Sequence, residues 1–422
     1  MNKKLIALAV ASALVTPWAA SAADGTDVKL FGRVQAEYSS TKIDQASTNN
    51  GAYRQQAISD NAGQSRWGLD ISEDLGNGLS AKARVEFGIR VGTGVADNAR
   101  EQWVGLASKS WGEFKFGRVQ SPFKDFAGGL SIDLFSDTNL QAVGAGGAMY
   151  GPDNGLGAGG FVDHALRYNS PEFNGLSAVA VFSPSNATQA DPTGPIPPAT
   201  AAANGGNIGG KGGSNNYQIA LKYKFGTAGE IFGGYSQDDA NDNQRAITTN
   251  GLLGDDEQVW RIGGAWSFGD FRIVGQYENI NNALVGNGGT SCGGGARANG
   301  GGDTGITTAQ CNSSLNANGD GHIWFLSGQY KIGKTTLVVQ GGKTTADQVT
   351  ANGVVTANER TAKNITVAAI YNFSKRTRVF GGYQKVSVDG ARSVDNTLAT
   401  GTTVLATQPD RSTWEIGLRH DF

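Results

Sequence analysis

Apolar and polar residues alternate one by one over short segments that recur along the whole chain. In the segment 79–90, every second residue from Leu79 to Ile89 is apolar, and the residues between them are mostly polar or charged. The same alternation recurs in four later segments, which are 217–225, 271–278, 365–373 and 414–422. Successive side chains of a β-strand point to opposite faces, so this period predicts strands with one apolar and one polar face. The chain is therefore predicted to be all-β.

The connections between these segments are alternately short and long. Short connections include 74–78, 225–229 and 268–270, whereas long ones include 119–162 and 280–320. About seven short turns and about eight long loops divide the chain into about sixteen strands of about nine to twelve residues, which is enough to cross a membrane at a tilt. This alternation of short and long connections predicts a transmembrane antiparallel β-barrel with short periplasmic turns and long extracellular loops.

Aromatic residues lie at the ends of the predicted strands. Those before short turns are Phe225, Trp266, Phe268, Tyr330, Tyr371 and Phe373, and those at the opposite ends are Tyr235, Tyr277 and Tyr383. Two aromatic girdles at the membrane–water interfaces would result. A soluble β-sandwich is the alternative, but its core aromatics need not gather at strand ends. Charges on the polar face, such as Lys82, Arg84 and Arg261, fit either fold.

The first residues are typical of a secretory signal peptide. Two lysines at positions 3 and 4 precede an apolar run at 5–15, and the Ala-Ser-Ala sequence at 20–22 is a cleavage site of small residues. A membrane anchor is the alternative, but the run is shorter than the roughly 20 residues of a spanning helix. We predict a signal peptide at 1–22, a single barrel domain at 23–422 and export from the cytoplasm.

The sequence contains no catalytic or cofactor-binding constellation. His164, His322 and His420 are far apart and lack the spacing of zinc ligands, and there is no phosphate-binding loop or nucleophile elbow. The net charge of −2 does not indicate a nucleic-acid partner. The acidic pairs at 238–239 and 255–256 could bind a cation, although such pairs are more often solvated loop charges. We predict that the protein is not an enzyme and has no cofactor and no metal.

Cys292 and Cys311 are the two cysteines of the chain, and both lie in the same long loop. Disulfides form in exported proteins, so a disulfide that closes this loop is the favoured interpretation. Metal binding is the alternative, but it would need further ligands.

Five short motifs resemble those of Gram-negative general outer-membrane porins, especially the neisserial and burkholderial type. They are SRWGLDISEDLGNGL (65–79), QWVGL (102–106), FGRVQSP (116–122), LRYNSP (166–171) and GLRHDF (417–422). The resemblance covers about residues 28–422. It implies a sixteen-stranded barrel, a homotrimer and a third long loop, here 119–160, that folds into the lumen. It also implies that the barrel-assembly machinery reads Phe422 during insertion into the outer-membrane lipid.

The same resemblance implies a constriction in which acids of the third loop face a ladder of basic residues on the wall. The matching acids are Asp133 and Asp137. The matching bases are Arg33, Arg66 and Arg118, and the alternation adds Arg84 and Arg100. Opposed rows of charge would create a field across the opening that favours polar solutes. Relatives often have a basic residue near position 161, where this chain has Phe161, and each charge could instead be a solvated lumen residue without a special role.

The family implies an outer-membrane channel for passive diffusion of small hydrophilic solutes and ions. A substrate-selective channel on the same barrel is the first alternative. A lipid-hydrolysing barrel and a plugged structural barrel are two others.

Overall fold

The computed structural model describes residues 26–44, 53–59, 65–92, 94–143, 160–184, 215–239, 256–283, 319–347, 349–351, 354–357, 359–389 and 410–422. The predicted signal peptide and both cysteines, Cys292 and Cys311, lie outside these ranges. Within them, no helix has the length and apolar character needed to cross a membrane.

The described residues are almost entirely β-structure. The strands are β1 (Thr26–Asp44), β2 (Tyr53–Ser59), β3 (Ser65–Gly76), β4 (Leu79–Arg90), β5 (Val95–Ser108), β6 (Gly112–Gln120), β7 (Phe161–Asn169), β8 (Leu176–Ser183), β9 (Asn216–Phe225), β10 (Gly229–Asp238), β11 (Glu257–Phe268), β12 (Phe271–Ala283), β13 (Gly319–Ile332), β14 (Thr335–Ala346), β15 (Val349–Ala351), β16 (Val354–Ala357), β17 (Arg360–Asn372), β18 (Thr377–Asp389) and β19 (Asp410–Asp421).

Seventeen of these strands form one antiparallel sheet that closes on itself, and β15 and β16 form a separate small hairpin. Closure comes from β1 and β19, which pair from Arg33 opposite Asp421 to Asp44 opposite Asp410. The strands β2 and β3 pair with different halves of β1 and together occupy one position. The predicted sixteen-stranded barrel is therefore confirmed, with its second position divided between two strands.

The alternation read from the sequence separates the outer surface from the lumen. On β13, Trp324 and Leu326 are exposed outward, whereas Ile323 and Phe325 are buried inward. Aromatic side chains are exposed near both ends of the barrel. Next to the short turns these are Phe225, Trp266, Phe268, Phe271, Tyr330, Tyr371 and Phe373, and near the long connections they are Tyr217, Tyr235, Trp260, Trp324 and Trp414.

The connection between β6 and β7, residues 121–160, is called the inner loop here, and its residues 121–143 and Gly160 are described. It begins with the short helix α1 (Pro122–Asp125), which Ser121 caps by accepting a hydrogen bond from the Phe123 N–H. Phe123 and Phe135 are fully buried against the inside of the barrel wall. Each such phenyl ring contributes about 1.5–3 kcal/mol by its burial. The described part of the predicted third loop does fold into the lumen.

Two apolar clusters hold the inner loop against one half of the wall. The first joins Phe123, Ala127, Ile132, Ala142 and Val143 to β9–β13 through Ala220, Phe232, Val259, Ala265, Val274, Ile280, Ile323 and Phe325. The second joins Phe135 and Leu140 to β14, β17 and β18 through Val338, Ala368, Ile370 and Phe380. The part of the lumen that stays open is therefore a narrow opening on the other side. It lies between the inner loop and the wall formed by β1 and β3–β6.

Long polar side chains of the wall bind the backbone of the inner loop. Arg261 donates to the carbonyls of Phe123 (2.5 Å) and Ala127 (2.7 Å). The Gln276 side chain accepts from the Gly129 N–H at 2.8 Å, and Gln384 donates to the Leu140 carbonyl at 2.9 Å. Buried backbone groups need such partners, so these contacts fix the course of the loop. Arg261, one of the charges on the polar face of its strand, is only 1% exposed, because it lies beneath this loop.

Candidate functional site

The opening between the inner loop and the wall is called the eyelet. It is an open cavity of about 420 Å³. Its charged lining residues are Arg33, Arg66, Arg84, Glu86, Arg100, Lys124, Asp125, Asp137 and Asp421. They come from β1, β3, β4, β5 and β19 and from the inner loop, so most of these charges are placed by strand alternation and the remainder by the loop.

Asp137 joins the inner loop to the arginines of the wall. Its Oδ2 lies 2.6 Å from Arg33 Nη1 and 3.4 Å from Arg66 Nη1. Its backbone has the left-handed φ of 66°, a conformation that Asp adopts more readily than most residues. The structure thus brings together three of the predicted residues, in direct contact rather than facing one another across the opening.

The remaining arginines of the predicted ladder are also paired. Arg84 binds Asp70 through Nε (2.6 Å) and Nη2 (2.8 Å) and reaches Glu101 at 3.0 Å. Arg100 forms an ion pair with Glu86. Arg118 forms one with Asp163. The wall of the eyelet is therefore a network of alternating charges.

Phe161 is the centre of a cluster of three cations. Lys124 Nζ lies 3.6 Å from the centre of the Phe161 ring, and the guanidinium carbons of Arg118 and Arg100 lie at 4.9 Å and 5.2 Å. The face of an aromatic ring attracts cations. Phe161, which departs from the family pattern, therefore adds no charge of its own but helps to gather three positive groups beside the eyelet.

Asp133 lies beneath the inner loop and is 3% exposed. It accepts hydrogen bonds from the backbone N–H groups of Phe135 (2.9 Å) and Ala142 (2.7 Å) and from the Gln340 side chain (3.0 Å). Asp133 is not among the residues that line the eyelet. Its contacts give it a structural role in holding the loop, in contrast to Asp137.

Two of the inner-loop groups that line the eyelet, Asp137 and Lys124, have shifted pKa values. Burial by itself raises the pKa of Asp137, but Arg66 and Arg33 outweigh it and hold the pKa well below its usual range. Burial lowers the pKa of Lys124 to about 7, and neighbouring Arg100 acts in the same direction. Asp137 therefore remains charged at neutral pH, whereas Lys124 gains or loses its proton close to neutral pH.

The histidines do not form a shared site. The His322 ring stacks on Tyr277 with ring centres 5.9 Å apart, and His420 Nδ1 lies 2.9 Å from the Thr377 hydroxyl. His164 is exposed on β7. In the described part of the chain, no group of three or more His, Cys, Asp or Glu residues could hold a metal ion.

Phe422 lies at the point where the barrel closes. Its N–H donates to the Gly32 carbonyl and its carbonyl accepts from the Gly32 N–H, both at 3.0 Å. The Phe422 ring covers Gly32 so closely that a Cβ at position 32 would overlap with it. The residue that the resemblance assigns to assembly therefore also makes contacts in the finished barrel.

A family model described as Gram-negative porin matches residues 7–391. The chain belongs to the Gram-negative porin family. Major outer membrane protein P.IA of Neisseria meningitidis serogroup B is 32% identical to this porin over 252 residues, which are 54% of the chain and 59% of that protein. The chain spans about half the length of the relatives it matches. The resemblance to neisserial porins is confirmed, and the porin is an outer-membrane protein.

Solved structures show the same fold. An anion-selective porin from Comamonas acidovorans matches with a TM-score of 0.62 and 18% identity, covering 94% of this chain and 100% of that one. The trimer form of OmpT, an outer membrane protein of Vibrio cholerae, matches with a TM-score of 0.55 and 16% identity at the same coverage. At these identities the likeness concerns the fold alone.

Proposed function

We propose that this porin is a water-filled channel for passive diffusion of small hydrophilic solutes and ions. The observation that carries the proposal is the eyelet, an opening lined by charged side chains within a closed barrel. The inner loop packs its apolar side against β9–β14, β17 and β18 and leaves the opening beside β1 and β3–β6. A charged lining replaces some of the water contacts that a polar solute loses, and it offers nothing to an apolar solute.

Single-channel conductance of the refolded porin in a planar bilayer tests this proposal. Stepwise openings and a reversal potential in a salt gradient are expected. A folded barrel that does not conduct would contradict the proposal and favour a plugged barrel.

We further propose that the eyelet prefers anions. Its lining contains five basic residues, Arg33, Arg66, Arg84, Arg100 and Lys124, and four acidic ones, Glu86, Asp125, Asp137 and Asp421. Several of these charges neutralise one another in pairs, so a moderate preference is expected rather than exclusion of cations. If one small organic anion saturated the conductance, the alternative of a substrate-selective channel would be favoured.

Replacing Asp137 with asparagine is expected to strengthen the anion preference. The change removes a negative charge and releases Arg33 and Arg66 towards the lumen. One charge acting on an ion at about 4 Å in water contributes about 1 kcal/mol, which corresponds to about fivefold in the permeability ratio. Reversal potentials in a salt gradient measure this ratio.

The matched control is Asp270→Asn, which changes an exposed carboxyl group in a short turn. It should leave the ratio close to that of the wild type. Asp133→Asn should alter conductance through the packing of the inner loop more than it alters selectivity. An unchanged reversal potential in Asp137→Asn would show that Asp137 does not influence permeating ions.

Lys124 is expected to make the ion preference depend on pH. With a pKa of about 7, its ammonium group is charged below pH 7 and neutral above it. The ratio of anion to cation permeability should therefore fall by up to about fivefold as the pH rises from 5.5 to 8.5. Reversal potentials measured across this range would show the titration.

Lys124→Met should give a low ratio and Lys124→Arg a high one, both independent of pH in this range. His164→Asn serves as the control for the exposed histidine on β7. A titration that persists unchanged in Lys124→Met would assign it to another group.

We also propose a homotrimer, as the resemblance to general porins implies, and recognition of Phe422 by the barrel-assembly machinery. Native mass spectrometry in detergent would give the number of chains in the assembly.

We propose no enzymatic activity, because the three histidines of the described chain lie apart from one another. Lipid hydrolysis by the pure porin would contradict this.

A further inference from the structure

The outer surface of the barrel has an apolar groove across β12, β13, β14 and β17. Its volume is about 880 Å³, and its walls include Leu326, Val339, Ile365 and Val367. Gly328 on β13 and Gly341 on β14 also line it. Because glycine has no side chain, the surface is lowered at these two positions. The groove faces the lipid, since Leu326, Val339, Ile365 and Val367 are all more than half exposed.

Two lysines lie at one end of the groove. Lys343 on β14 is directly opposite Lys363 on β17, and Trp324 on β13 is opposite Lys343 from the other side. Both lysines line the groove.

Like charges directly opposite each other on neighbouring strands repel, so this pair is unfavourable unless an anion lies between them. Lys363 Nζ lies 3.2 Å from Asp389, but both side chains are more than half exposed, so this ion pair is weak.

The lysines lie at the extracellular end of the strands. Lys343 is close to the end of β14 at Ala346, and Lys363 is close to the start of β17 at Arg360. Both strand ends lead to the longer connections, which are extracellular in bacterial barrels. Trp324, at the same height, is 44% exposed, as expected for a residue of the interfacial girdle. The lysines are therefore at the headgroup level of the outer leaflet, and the groove extends below them into the acyl layer.

We propose that this groove binds a lipid of the outer leaflet that carries phosphate on its headgroup and several acyl chains. The phosphate lies between Lys343 and Lys363, where it relieves their repulsion and can displace Asp389 from Lys363. The acyl chains lie over Gly328 and Gly341, between the exposed apolar side chains. Lipid binding at this groove does not depend on whether the barrel conducts.

Native mass spectrometry of the purified porin tests this proposal. The probe is bis-phosphorylated lipid A, and phosphatidylcholine and dephosphorylated lipid A are the comparison lipids. Wild-type porin is expected to retain the phosphorylated probe in preference to both others. Each lysine near an anionic headgroup contributes about fivefold, so Lys343→Gln with Lys363→Gln should weaken retention by about 25-fold.

The matched control for charge is Lys375→Gln, an exposed lysine in a short turn at the other end of the barrel. It should leave retention unchanged. Gly328→Leu tests the groove itself, because an added Cβ there would meet the Phe271 ring at 3.8 Å, an ordinary contact distance. Filling the groove should weaken retention about fivefold while both lysines remain.

Heat-dependent migration in gels would show that each variant is a folded barrel. Equal retention of phosphorylated and dephosphorylated lipid A by the wild type would overturn the proposal. So would retention by the double lysine variant that equals that of Lys375→Gln.

Discussion

Replacing Phe422 with alanine is expected to reduce the amount of folded porin in the outer membrane by more than tenfold. The aromatic ring is the proposed recognition feature for the assembly machinery, and losing one aromatic anchor costs about 2 kcal/mol or more in binding, which exceeds tenfold in affinity. The backbone hydrogen bonds between Phe422 and Gly32 are retained in this variant. Quantitative immunoblots of outer-membrane fractions would measure the yield.

The same substitution should affect a finished barrel much less. The Phe422 residue is 39% exposed, so its ring is only partly buried. Its removal is expected to lower the free energy of unfolding by about 1–2 kcal/mol, measured by denaturant titration after refolding in detergent. Phe373→Ala is the matched control, because Phe373 is an exposed aromatic residue beside a short turn. A normal outer-membrane yield of Phe422→Ala would refute the proposed recognition.

The strands were predictable because their signal is local. Alternation at 79–90 and 365–373 follows directly from the geometry of a strand with one face in lipid and one in water. The same alternation places Arg84 and Arg100 on the lumen side, as observed. The division of the second barrel position into β2 and β3 was not predictable, because it depends on how two separate segments share one partner, β1.

The composition of the eyelet was predictable only in part. Arg33 and Arg66 follow from the resemblance to the family, but their contact with Asp137 depends on a loop that begins far away in the sequence. Asp133 and Asp137 are only four residues apart, and spacing does not show which one turns towards the lumen. The left-handed backbone at Asp137 and the backbone hydrogen bonds to Asp133 make that difference.

The sequence reading also missed Lys124. It lies within a few residues of the family motif at 116–122, where Ser121 and Pro122 already form a helix-start signal. That signal would have placed a short helix at the start of the inner loop. It would not have shown that Lys124 meets the Phe161 ring, because Phe161 begins the strand on the far side of the loop.

Among the substitutions proposed here, replacing Arg261 with methionine is expected to have the largest effect on the single-channel conductance of the porin. Arg261 is fully buried, pairs with Glu278 and donates to the carbonyls of Phe123 and Ala127 in the inner loop. Without these contacts the start of the loop loses its main polar attachment to β11. The start of the loop is then free to move from this wall towards the eyelet, so the single-channel conductance should fall.

Stability and conductance should respond differently to a second substitution. Removing one partner of a buried ion pair costs about 3–5 kcal/mol, so Arg261→Met should lower the free energy of unfolding by about that amount. Adding Glu278→Leu removes the other buried charge and should restore most of the stability. The conductance should stay low, because the double variant still lacks the bonds to Phe123 and Ala127.

Arg272→Met is the matched control, since Arg272 lies on β12 close to a short turn and away from the apolar clusters of the inner loop. Its conductance should equal that of the wild type. If the double variant regained both stability and wild-type conductance, the ion pair alone would explain the effect of Arg261. Low conductance in a stable double variant would instead show that the two carbonyl bonds determine the position of the inner loop and, with it, the width of the eyelet.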